Sequence, residues 1–208
     1  MTTRLRRGSV PALTAVLALT LASFTLSAAP ATASTTIPIH WTVNASTHLK
    51  SLNMDVVVPP GTFDGTIDLA TGNLTGTLAL PPATKKITLF GLPLASATFA
   101  ITENGPISGH VDLATMKATV TASFNFNIKQ ASLSILPWLN LVGNTCTGSK
   151  PVTVTMSGPV SLTGASTFSS TYTIPPFKGC GLLITPVLNL VIPGSGNTFS
   201  ATFAPPAP

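Results

Sequence analysis

The stretch Val120-Thr121-Ala122-Ser123-Phe124-Asn125-Phe126-Asn127-Ile128-Lys129 places an apolar side chain at every even position and a polar one at every odd position. Successive side chains of an extended chain point to opposite faces. This spacing therefore suits a β-strand with one dry and one wet side, not a helix, whose apolar positions recur every three to four residues. The same parity runs through Ile39, Trp41 and Val43, through Val152, Val154 and Met156, through Phe168, Tyr172 and Ile174, and through Phe199 and Phe203. Threonine fills 27 of the 175 positions from residue 34 onward, and β-branched residues favour a pleated, half-buried surface. About twelve short strands fit, punctuated by Gly and Pro at hairpin spacing. The expected fold class is all-β: an antiparallel barrel or a two-sheet sandwich, with one short apolar helix.

An internal echo supports hairpins. Gly65-Thr66-Ile67-Asp68-Leu69-Ala70-Thr71 matches Gly109-His110-Val111-Asp112-Leu113-Ala114-Thr115, and a fainter third copy begins at Gly158-Pro159-Val160-Ser161-Leu162. Each copy reads as strand, turn, strand. Asp68 and Asp112 stand where a short carboxylate can accept backbone N–H groups and close the turn.

Export is written into the first 33 residues. Arg4, Arg6 and Arg7 precede an uncharged Ala-, Leu- and Val-rich run over residues 13–26, and Ala31-Thr32-Ala33 supplies a small-x-small cleavage site. The apolar run is shorter than the roughly 20 residues needed to span a bilayer. Residues 1–33 are therefore expected to be a signal peptide and 34–208 a single extracellular β-rich domain, released or held in the envelope non-covalently, with no transmembrane segment after cleavage. Cleavage there removes every arginine and leaves seven lysines against five acids. That balance excludes a nucleic-acid binder driven by phosphate neutralisation.

Two segments break the alternation. Ile135-Leu136-Pro137-Trp138-Leu139-Asn140-Leu141-Val142 is apolar apart from Asn140, and residues 182–192 resemble it, sharing Leu-Asn-Leu-Val. In the second, Thr185 suits an N-cap, Pro186 a first helical turn, and Pro193-Gly194 a stop, which predicts a helix of about two turns. Apolar on nearly all sides, such a helix must be buried or pressed on something greasy. Cys146 and Cys180 are the only cysteines. An even count in an oxidising compartment favours a disulfide over two free thiols or a metal pair, and no histidine neighbours either cysteine in sequence. The bridge would tie the two apolar segments together.

Catalytic residue types are scarce. His40 and His110 fall on the polar parity of their strands, and Asp64 and Asp68 share a strand face that turn closure and solvation explain. Neither Gly-x-Ser-x-Gly nor His-Glu-x-x-His occurs. No enzymatic activity, metal or cofactor is expected. The Lys85-Lys86 pair reads as protection of a strand edge.

The stretches Val57-Val58-Pro59-Pro60-Gly61-Thr62-Phe63-Asp64-Gly65-Thr66-Ile67-Asp68-Leu69, Asn140-Leu141-Val142-Gly143-Asn144-Thr145-Cys146 and Gly179-Cys180-Gly181-Leu182-Leu183 resemble small secreted proteins of actinobacteria. The resemblance covers nearly all of the expected mature chain. It implies an exported β-rich domain and the disulfide, and carries no activity or functional residue across. The hairpin pattern is also similar, in architecture only, to bacterial lipocalin-like barrels that bind isoprenoid lipids. Together these readings give a non-enzymatic secreted or envelope protein that binds an apolar or lipid ligand, with a purely structural or adhesive β domain as the alternative. A ligand mouth would be lined by Trp138, Leu139, Leu188 and Val191.

Overall fold

Strand forms wherever the chain alternates. The computed structural model describes residues 35–89 and 92–206; the expected signal peptide and its cleavage point lie outside the described residues. In chain order the elements are β1 (Thr36–Leu49), a 3-10 turn (Lys50–Leu52), β2 (Met54–Asp68), β3 (Asn73–Ala79), β4 (Ala83–Leu89), β5 (Leu92–Glu103), β6 (Ile107–Asp112) and β7 (Lys117–Leu133). Then follow β8 (Thr147–Gly148), β9 (Val152–Pro159), β10 (Ser166–Ile174), β11 (Phe177–Lys178), α1 (Ile184–Val191) and β12 (Gly194–Ala204). The strands are not uniformly short. β1, β2 and β7 run 14, 15 and 17 residues, and their length lets one strand serve two layers.

All pairings are antiparallel, in the order β10-β12-β1-β2-β3-β6-β7-β5-β4, with β9 on β7 and the short β8 bridging β7 and β11. β7 pairs with β6 and β9 through its first half and with β5 through its second. That change of partner, with a register shift between Thr98 and Phe99 of β5, bends one sheet into two packed layers. The β1–β2 ladder is offset where Pro59 and Pro60 interrupt it: Val43 pairs with Gly61 and Ala45 with Val58. Proline has no N–H to give a ladder, so the pairing steps around it.

Between the barrel and the sandwich, the structure is a sandwich. β9 and β10 run side by side, yet no backbone ladder joins them among the described residues, so the sheet is not closed into a barrel. Instead the Ser170 hydroxyl donates to the Thr155 carbonyl at 2.8 Å, taking an acceptor that a closing ladder would offer to a backbone N–H.

The buried parity is the one read from the sequence. Ile39, Trp41, Val43, Phe124, Ile128, Val152, Val154, Met156, Phe168, Tyr172, Ile174, Phe199 and Phe203 all lie in the core. The layers meet through aromatic contacts: Phe126 of β7 stacks on Tyr172 of β10 with ring centres 5.7 Å apart, and Phe203 packs edge-on against Phe63 and Phe168. Two enclosed gaps between the layers each measure about 30 Å³, room for one water and far below the roughly 300 Å³ at which ligand pockets begin. The interior is filled.

The strand axes give the domain two ends. At one, three chain reversals cluster: the hairpin turns at residues 69–72 and 113–116 and the β9–β10 connection at 160–165. Asp68 accepts the Ala70 N–H at 2.9 Å and the Thr71 hydroxyl at 2.9 Å, and Asp112 accepts the N–H groups of Ala114 at 2.9 Å and Thr115 at 3.2 Å. Bonds from Thr115, side chain and backbone, and then from the Ala114 N–H hold the Asp112 carboxyl below its ordinary range. In the third copy serines do the same work: Ser161 Oγ accepts the Gly164 N–H and Ser166 Oγ accepts the Ser161 N–H, each at 2.8 Å. Gly72 is left-handed (φ 72°), and a Cβ there would lie 2.3 Å from the Val111 carbonyl, which locks the first two hairpins side by side. The opposite end carries the disulfide and both apolar segments.

Candidate functional site

Cys146 and Cys180 form a disulfide spanning 34 residues, and both cysteines are buried. Around it the chain has little regular structure, and asparagines and threonines hold the backbone. Asn140 accepts the Ala131 N–H at 3.0 Å, donates to the Lys129 carbonyl at 3.3 Å, and accepts the Val142 N–H at 3.2 Å. Asn189 accepts the Phe177 N–H at 2.6 Å and donates to the Phe177 carbonyl at 3.0 Å. A primary amide carries one acceptor and one donor side by side, as a peptide group does, so each side chain extends a strand edge without a strand. These are the asparagines of the repeated Leu-Asn-Leu-Val. The repeat is visible in the sequence; the clamping role is not, because nothing local says which backbone the amide will reach.

The helix begins differently from expectation. Leu183, not Thr185, occupies the cap position and makes no side-chain cap bond. Thr185 lies inside the first turn, where its hydroxyl donates to the Gly181 carbonyl at 2.7 Å and accepts the Cys180 N–H at 3.2 Å. The hydroxyl thus ties the helix start to the disulfide. A third asparagine closes this end. Asn197 is fully buried, accepts the Lys50 N–H at 2.9 Å, and donates to the carbonyls of Gly194 at 2.8 Å and Tyr172 at 3.4 Å.

With the backbone so held, the apolar side chains are left free. Ile184 and Leu188 lie half-buried against the core, while no residue of α1 is fully buried. Leu182 is 96% exposed, Leu190 85%, Leu183 83%, Ile135 82% and Trp138 77%, with Val187, Val191 and Leu139 also exposed. Of the four residues expected at a ligand mouth, Leu188 therefore faces the core and Trp138, Leu139 and Val191 face outward. None of the cavities described here is lined by any of the four. Val142 and Ile192 anchor the two segments in the core, and most of their other apolar side chains are surface. Their all-round apolarity could not indicate which side the fold would take.

The polar candidates lie elsewhere. His40 pairs through Nδ1 with Asp64, its cross-strand neighbour, and His48 with Asp55 at 2.8 Å. Both pairs sit on the outer face of the β1–β2 ladder. His110 is exposed. Among the described residues no group of three His, Cys, Asp or Glu side chains is placed to hold a metal ion. Lys85 and Lys86 lie on β4 at the end of the strand order, the edge the sequence suggested. An open groove of about 570 Å³ runs beside Pro60, Leu78, Leu80, Pro81 and Ile101, with Glu103 in its wall. The Glu103 carboxylate accepts the Leu78 N–H, where β3 has outrun its partner β6. Burial pushes its carboxyl above the ordinary range, and the Leu78 bond only partly offsets this.

Among the described residues no helix is long and apolar enough to cross a membrane. No family model matches the chain, and no curated protein or solved structure is significantly similar to it.

Proposed function

We propose that this is an exported, non-enzymatic β domain that lays its disulfide-braced end on a lipid phase. The observation that carries the reading is the exposure of Trp138, Leu182, Leu183 and Leu190 beside a filled interior. An acyl or isoprenoid chain has no room between the layers, so an apolar ligand would be met as a surface. Burying a large apolar side chain is worth about 1.5–3 kcal/mol, and several such groups on two segments leaving one disulfide would bind together. The disulfide fits an oxidising, extracellular setting, as does the leader-like start of the chain. The filled core also favours a second reading, a structural or adhesive domain without a small-molecule ligand.

Intrinsic fluorescence separates the two. The chain has two tryptophans, buried Trp41 and exposed Trp138. On adding phosphatidylcholine vesicles, emission of the oxidised, exported protein should shift to the blue as Trp138 leaves water, and the protein should sediment with the vesicles. Trp138→Phe should erase the shift but keep the sedimentation. Leu183→Asn with Leu190→Asn should weaken sedimentation about tenfold or more. Protein that stays in the supernatant with unshifted emission overturns the lipid reading and leaves the structural one.

A further inference from the structure

The charges of the domain are sorted along the strand axis. Lys50 closes β1, Lys85 and Lys86 lie on β4, Lys129 lies in the second half of β7, Lys150 precedes β9, and Lys178 stands in β11 two residues before Cys180. All six belong to the half that carries the apolar segments. The one acid in that half is Asp55, already paired with His48. Toward the turn end the balance reverses: Asp64, Asp68 and Asp112 face only Lys117, with Glu103 midway along the strands. A chain with so few charges nevertheless places six of its seven lysines around its exposed apolar end.

We infer that the surface this end meets is an anionic lipid leaflet. The inference rests on the lipid reading above and adds the charge of the headgroups. Apolar side chains enter the interface while lysines beside them stay at headgroup level, their stems along the apolar boundary and their ammonium groups on the phosphates. Asp64, Asp68 and Asp112 lie toward the turn end, and Glu103, midway along the strands, has its carboxylate turned to the Leu78 N–H, so none of the four belongs to the rim that meets the leaflet. A second copy of this chain fits the same face badly. Two-fold pairing through it would bring two rims of six lysines together with only Asp55, already paired with His48, to receive them.

The test compares two vesicle compositions for the oxidised, exported protein: phosphatidylcholine alone, and phosphatidylcholine with a third of the lipid replaced by phosphatidylglycerol. Binding should be at least about tenfold tighter on the anionic vesicles, since each lysine at such a surface contributes about fivefold, and raised salt should remove that gain. The triple change Lys129→Gln, Lys150→Gln and Lys178→Gln touches only exposed side chains. It should cut anionic binding about tenfold or more and leave neutral binding unchanged. Equal binding to both vesicles, untouched by the triple change, overturns the headgroup inference while the lipid reading stands. Binding to neither overturns both. A dimer in sedimentation velocity that Leu183→Asn with Leu190→Asn disperses would make a second copy the occupant, against the inference.

Discussion

The two ends of the domain reverse the chain in different ways. At the turn end the chain comes back within a few residues, and each turn is closed by a side chain of its own: Asp68 on Ala70, Asp112 on Ala114, Ser161 on Gly164. At the braced end, residues 134–146 and 179–193 travel far between strands, and beside the local bonds of Asn140 to Val142 and of Thr185 to Gly181 longer-range groups help hold this end. Asn197 reaches the Lys50 N–H across 147 residues, Asn189 reaches Phe177 across 12, and the disulfide spans 34. The difference bears on function. A turn closed locally needs no distant anchor, and of the large apolar side chains in these turns only Leu113 and Leu162 are exposed, each 38%. A backbone pinned by amides and a disulfide no longer needs its own apolar side chains for burial, so Trp138, Leu182, Leu183 and Leu190 can point outward without loss of the fold. Distant anchoring is what allows an apolar surface at that end.

The largest expected effect breaks the anchoring itself. Replacing both cysteines by alanine should cost about 2–4 kcal/mol in a denaturant titration, as expected for a closed loop of this length. Hydrogen exchange should rise in α1 and in 134–146 while the amides of β1, β2 and β7 stay protected. Uniform loss of protection would mean that the two ends are not energetically distinct. Next comes a matched pair of polar deletions. Asn197→Ala removes a buried side chain and leaves the Lys50 N–H and two carbonyls without partners, which should cost about 2–3 kcal/mol. Asp68→Ala opens a turn whose groups water can serve, and should cost about 0.5–1 kcal/mol. Equal losses would remove the distinction between distant and local closure.

The same contrast marks what the sequence could reveal. Parity identified the core strands because one face of each is buried, and a one-residue slip would expose that whole face. The echoed Gly-x-x-Asp turns were legible because their bonds close within three residues. The pairing of Cys146 with Cys180 followed from count and compartment. Three things were hidden. Whether β9 and β10 complete a ladder depends on how far the sheet curls, a property no single strand encodes. The helix starts earlier than expected, and the Thr185 hydroxyl, instead of capping, turns back to the Cys180 N–H and the Gly181 carbonyl just upstream. And residues 135–142 and 182–191 are apolar at almost every position, so their periodicity carries no facing information. The sequence marked both apolar segments, but not that Trp138, Leu139 and Val191 would face outward while Leu188 packs on the core.

The smallest effect lies between the two ends, at Glu103. β3 pairs with β6 only from Asn73 to Gly76, and the Leu78 N–H beyond that point turns to the Glu103 carboxylate. Burial favours the neutral acid and raises its pKa in the fold above the ordinary value of 4.5, with the Leu78 bond opposing. The folded chain therefore holds this proton more tightly than the unfolded one. Its contribution to stability is complete below the unfolded pKa and is lost as pH rises through the folded one. Asp112 has the opposite sign: bonds from Thr115 and Ala114 lower its pKa, so its contribution is present above its ordinary 3.8 and is lost as pH falls through the folded value. Glu103→Gln keeps an oxygen for Leu78 and removes the titration. Denaturation midpoints measured from mildly acidic to neutral pH should decline for the parent protein and decline less for the variant, the two converging at the acidic end. Identical pH slopes for parent and variant would show that the carboxylate is as well solvated in the fold as in the open chain, and that the gap beside β3 is ordinary wet surface.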